Sequence, residues 1–359
     1  MALTRPAPMA AIAALVVGCS TPNSVGTHVL SNTSAPLITG TSTRWPDPDR
    51  THFASLCPPD YYRCVASAIS ADGTTAVGAA STADDELSTF AVRWRAGRLQ
   101  VLGGGDRRSS FADAVSGDGR TIVGSMHLGD GRAGGMWIGD DPPVVLVDPV
   151  GVTNSLPEEI SNDGTVIVGL GLTRHRVGVR WRAGKPEPLR DGSEILWLTS
   201  IAISASGDVV AGTDARREGL RLRGGQIEQL ESGGNVDEIS GDGRVMVGSI
   251  GDRAMRWLDH KPQPLGHLPG ASTCEARAAS DDGSRIVGLC TGRGVGKIAF
   301  IWDDVSGMRS VAAVLRANGV ATPGWILHRA LGVSADGVTL VGDGSREGKH
   351  EAWIATIPR

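Results

Sequence analysis

Ten side chains could gather to bind an anion: Arg174, His175 and Arg176; Arg216 and Arg217; Arg293 and Lys297; Arg346, Lys349 and His350. Guanidinium groups grip carboxylates, sulfates and phosphates through paired N–H donors, so a ring of them suits an anionic glycan or a phosphate-bearing ligand. Arg107 and Arg108 would add to such a ring, whereas Asp84, Asp85 and Glu86 in "TADDELST" would interrupt it. Other chemistries leave no pattern. The eight histidines are scattered without HExxH or paired CxxC spacing, so no metal site is expected. No GxSxG elbow or EF-hand run occurs. "GRGVGK", from Gly292, fails as a phosphate loop because Thr291 stands for the first glycine and Ile298 for the hydroxyl residue. No catalytic residue and no cofactor is therefore assigned, and a net charge of −4 gives no argument for nucleic acid.

The elements that must hold these side chains are written as a repeat. "AISADGTTAVG", "AVSGDGRTIVG" and "GVSADGVTLVG" are three of seven copies, with turn glycines at Gly73, Gly119, Gly164, Gly207, Gly243, Gly283 and Gly337. The copies lie between 36 residues (Gly207 to Gly243) and 54 residues (Gly283 to Gly337) apart, bracketing the period of four-stranded propeller blades. Each copy runs from a small-residue strand ending in Ser, through a turn, to a Val/Ile strand ending in a second glycine. A third strand carries Trp94, Trp137, Trp181, Trp257, Trp302 or Trp353, and the fourth copy has Leu222 in that place. A fourth strand follows with Leu102, Leu146, Leu189, Leu230 or Leu265.

This pattern predicts an all-β fold: a seven-bladed β-propeller of four-stranded antiparallel blades over residues 50–359. The turn reads as a three-residue hairpin loop whose last residue is left-handed, a conformation only glycine adopts without steric cost. Asp72, Asp118, Asp163, Asp242, Asp282 and Asp336 would satisfy turn amides rather than calcium, and would make that face acidic. The basic loops, joining second to third strands, would emerge on the opposite face. With Ser280 facing Ser284, Cys274 comes opposite Cys290, and Cys57 and Cys64 form the remaining pair. The seventh copy lacks a fourth strand, so Thr51–Leu56 should close the ring. "MRSVAAVLRANGV" places Val311, Val314 and Leu315 at helical spacing before Gly319, predicting one short helix.

The N-terminus reads as an export signal over 1–18, with Arg5 before the apolar run Met9–Val17. "VVGC" resembles a bacterial lipobox, which would put a lipid on Cys19; an ordinary signal peptide is the alternative. Residues 19–49, rich in Ser, Thr, Pro and Asn, read as a tether.

The repeats, above all "GWILHRALGVSADGVTLVGDGSREGKHEAWIATIP", resemble the HAF-type extracellular repeats of exported bacterial proteins, with Ser206 and Leu222 as departures in the fourth copy. The resemblance implies an exported or surface location and a propeller-like domain, and brings no catalytic residue. The expected function is a lipid-anchored module of the cell envelope, at the outer membrane or cell surface, that binds an anionic glycan, a phosphate-bearing ligand or an envelope protein. A carbohydrate lyase or hydrolase using dispersed residues at the channel mouth is the alternative, and a structural envelope protein a second one.

Overall fold

The computed structural model describes residues 45, 47–82, 85–103, 109–129 and 131–359. The signal segment, Cys19, most of the tether, Asp84, Arg107 and Arg108 lie outside them, as do the side chains of Asp85 and Glu86. Seven four-stranded antiparallel sheets stand around one axis, each innermost at its first strand. The inner strands are Tyr61–Ile69, Ser110–Val115, Thr153–Ile160, Leu198–Ile203, Asn235–Ile239, Thr273–Ala279 and Trp325–Val333, defining blades 1 to 7. A two-stranded hairpin, Arg190–Asp191 with Glu194–Ile195, is inserted between blades 3 and 4.

The predicted closure is present. His52–Ser55 pairs antiparallel with Lys349–Thr356 and supplies the fourth strand of blade 7. Backbone bonds also close the turn side: Gly117 N–H donates to Asn162 O, Asn162 to Ala205, Ala205 to Gly241, and Ala335 to Ala71. Asp72 N–H to Gly117 O, Asp242 to Asp281 and Asp281 to Ala335 complete the circle.

Each turn is built as its sequence demands, with one difference. The turn glycines have φ between +66° and +76°. Ser Oγ donates to the Asp carboxylate two residues on, as in Ser70 to Asp72 at 2.6 Å, and that carboxylate accepts the amide of Thr74 at 2.9 Å. The loop, however, holds four residues rather than three, because Ser280 N–H bonds to Arg285 O, with equivalents in every blade. The extra residue is recovered by a one-residue bulge at Arg277, so Cys274 still pairs with Cys290. Both predicted disulfides form, Cys57–Cys64 and Cys274–Cys290. Replacing Cys274 and Cys290 together by Ser should lower stability by about 3 kcal/mol, the loop-closure value for a ring of this length, measured as a shift in denaturation midpoint.

Trp94, Trp137, Trp181, Trp257 and Trp353 are almost fully buried. Four of them bolt a blade to the one before it: the indoles of Trp94, Trp137, Trp181 and Trp257 donate to the carbonyls of Leu56, Gly103, Val147 and Glu231. Each carbonyl lies at the end of the preceding fourth strand, so packing and hydrogen bonding fix the same wedge. The helix Val311–Ala317 forms with Val311, Val314 and Leu315 buried and Ser310 as its N-cap.

Candidate functional site

The axis is lined by innermost strands that alternate small and apolar residues, and the bulge breaks this alternation. In six blades it falls at the residue three before the turn serine: Ser67, Asp113, Glu158, Asp237, Arg277 and Leu331. Blade 4 lacks it, with Ile201, Ala202 and Ile203 in unbroken register. A bulge re-aims side chains and leaves its residue unpaired in the ladder. Here the bulge residue is charged in four blades, and in blades 5 and 6 it lines the channel, as Asp237 and Arg277.

Glu159, Asp237, Glu238 and Arg277 line a central cavity of about 170 Å3, girdled nearer the turns by residues including Ile69, Val115, Ile160, Ile203 and Ile239. Glu159 and Glu238 act on each other as a buried carboxyl pair; burial and the neighbouring carboxylates push Glu159 well up. Burial raises Glu158 and Glu238 to about 7, and Asp113 and Asp237 to about 6. Nearby cations oppose this: Arg132 beside Asp113, Arg176 beside Glu158, and Arg277 beside Asp237. Arg277 bonds Asp237 at 3.1 Å and also pairs with Glu275.

These shifts set a pH profile. Groups whose carboxyls are raised in the fold contribute stability below their ordinary pKa and lose it as pH climbs through 6 to 7. The turn carboxylates Asp72, Asp163 and Asp282 are lowered against the cost of burial by Ser and amide donors, and contribute the opposite way, losing stability below about pH 4. Melting temperature should therefore rise from pH 8 to pH 5 and fall again below pH 4. Glu238→Gln should flatten the upper limb; a monotonic rise toward pH 8 would contradict the assignment.

The ten basic-loop residues do not form one cluster. Arg174 and His175 are exposed, and the His175 ring lies 4.0 Å from that of Trp197, itself half exposed. Arg176 reaches Glu158 at 3.6 Å and joins the carboxylate layer. Arg216, Arg217, Arg293, Lys297 and Lys349 are exposed. Among the described residues, none of these five, nor Arg174, has a carboxylate within ion-pair distance. Arg346 pairs with Glu351 at 3.2 Å and lies over Trp325. Arg346 and Lys349 line a separate cleft with Tyr61 and Glu347 beside the Cys57–Cys64 bond. His350 is half-buried, 3.7 Å from Asp343.

Asp113, Glu158, Glu159, Asp237, Glu238, Glu275 and Arg277 lie on inner strands rather than on the basic loops, outside the residues expected from the sequence. The signal was available: a charge two, three or five residues before the turn serine interrupts a strand of otherwise small or apolar residues.

No protein-family model and no curated protein matches the sequence. Among solved structures, the oligogalacturonate lyase of Vibrio parahaemolyticus superposes with a TM-score of 0.59 at 11% identity, covering 86% of this chain and 98% of the other. Altogether 1005 solved chains match the structure, so the shared propeller by itself selects no function.

Proposed function

We propose that this chain is an exported, lipid-anchored propeller of the HAF-repeat type that binds an anionic saccharide at the loop-side mouth of its channel. One observation carries the reading: exposed loops on the face opposite the turns carry cations with no carboxylate at ion-pair distance among the described residues, while the acids of the inner strands are arginine-paired or pushed toward their neutral forms. An approaching polyanion therefore meets positive charge first and, below it, a layer of hydrogen-bond donors and acceptors. The two disulfides fit an oxidising compartment. The lyase among the structural neighbours is named for an anionic oligosaccharide, the same ligand class.

A second reading, a carbohydrate lyase or hydrolase, rests on Glu158 and Glu238, whose carboxyls at about 7 stand where a general acid or base works at neutral pH. Calorimetric titration with oligogalacturonate tests the first reading. Binding should weaken with added salt, and by about tenfold or more, roughly 1.4 kcal/mol, when Arg174, Arg176, Arg216 and Arg217 are together replaced by Ala. Salt-independent binding, or none to any anionic glycan, would remove the proposal. Ultraviolet absorbance from an unsaturated sugar, or new reducing ends, during the same incubation would favour the enzyme.

A further inference from the structure

Blade 7 holds a side-chain cluster that saccharide binding at the rim does not use. His328 lies on the inner strand Trp325–Val333, Asp343 on Thr339–Arg346 and His350 on Lys349–Thr356. Three adjacent strands of one antiparallel sheet thus supply one group each. His328 is the extra residue of a second bulge, between the pairs Leu327↔Gly344 and Arg329↔Asp343, which takes its side chain out of the strand's alternation. One ring nitrogen of each histidine and one carboxylate oxygen all lie within 4.8 Å of one another.

The hydrogen bonding of the cluster is incomplete. Asp343 is fully buried, and Arg329 donates to both of its oxygens. A carboxylate has about four acceptor positions, so this pairing leaves room for a further partner. His350 Nδ1 is buried with no hydrogen-bond partner, and His328 Nε2 has a 3.3 Å contact with Ser345 Oγ.

We propose that His328, Asp343 and His350 bind one late first-row divalent metal ion, with zinc as the reference case, through two imidazole nitrogens and one carboxylate oxygen. Arg329 then holds the carboxylate in place from behind, as the outer partners of metal-bound carboxylates do. Lys297 acts on the His328 imidazole, Arg63 on that of His350 and Arg329 on both, so beyond Asp343 the surroundings are cationic. Such surroundings disfavour magnesium and calcium, which rely on oxygen ligands and charge, and leave metals that bond well to imidazole. They also favour an anion in a remaining coordination position. With His350 about one third exposed, those positions open to solvent, the arrangement of a reactive rather than a closed structural site. No HExxH search finds this set, because its members are 15 and 7 residues apart on separate strands.

The test uses the full, tag-free chain stripped with a chelator and titrated calorimetrically with zinc, then with cobalt for its visible spectrum. Saturable uptake of one equivalent at about micromolar affinity or tighter is expected, unchanged by millimolar magnesium or calcium. His328→Ala and His350→Ala should each weaken it by about tenfold or more, and the double variant should lose both the site and the cobalt bands. The metal-free melting temperature of these variants should stay close to wild type. Asp343→Asn is avoided because it strips half-buried Arg329 of its counter-charge. No saturable uptake by the wild-type chain, or uptake unchanged in the double variant, overturns the proposal. Neither outcome bears on saccharide binding at the rim, which is read separately.

Discussion

Gly124→Ala should destabilise the protein by about 3 kcal/mol, at the upper end of what overpacking normally costs. In six of the seven blades the second glycine of the repeat faces the bulged inner strand, where the chain is pushed toward it. A Cβ on Gly124 would lie 2.0 Å from Phe111 O and 2.9 Å from its carbonyl carbon. Both are backbone atoms of a paired strand, so neither can swing aside. Gly78, Gly169, Gly248, Gly288 and Gly342 meet an inner-strand carbonyl at 1.9 to 2.1 Å in the same way. Blade 4 supplies the control, since without the bulge Gly212 has its nearest such atom, Ser200 O, at 2.5 Å and the next at 3.5 Å. Gly212→Ala should cost about 1 kcal/mol, in the lower part of that range. Urea midpoints compare the two, and equal losses would mean that the bulge does not set the glycine requirement.

Deleting the chain through Leu56 should abolish the cooperative monomer. His52–Ser55 pairs with the outermost strand of the C-terminal sheet, from His52↔Thr356 to Ser55↔Trp353, and Leu56 N–H continues to Ala352 O. Leu56 is 2% exposed, and its carbonyl holds the Trp94 indole at 2.7 Å, so the same residue ties blade 7 to blade 1. Phe53 meets Trp325 edge-on at 5.2 Å, and Thr356 Oγ donates to Arg50 O. Without this strand, the buried run Ala352–Ile357 would present an unpaired apolar edge, which invites association. Light scattering should show aggregates or oligomers, and thermal melting should lose its sharp transition. A monomer melting like the parent would contradict the shared-blade closure. Because these contacts join residues about 300 apart, the ring should also fold slowly for its stability.

Much of this architecture can be read in the sequence, for local reasons. Ser70, Asp72 and Gly73 specify a turn through their own hydrogen bonds and φ, and such a signal survives in a single chain. Trp94 and its counterparts mark the third strands because only a large side chain fills the widening wedge. The bulge is not legible in this way. A four-residue loop and one unpaired residue cancel, so Cys274 meets Cys290 in either register, and the correct pairing conceals the extra residue at Arg277. That hidden residue is what carries Asp237 and Arg277 to the channel. The weak fourth copy is consistent at three levels: Ser206 for Asp, Leu222 for Trp, and no bulge at Ile201. The ten basic residues share a loop position, but loop direction is set by tertiary contacts. Thus Arg176 turns inward to Glu158 while Arg346 lies back over Trp325.

The decisive measurement is a crystal structure of the chain grown with the oligosaccharide used in the titration. Ordered sugar density at the loop-side mouth, with an acidic group of the ligand within hydrogen-bond distance of Arg176 or the rim arginines, is the predicted result. Density on the turn face among Asp72, Asp118 and Asp163, or an empty mouth in crystals of a chain that binds in solution, would contradict it.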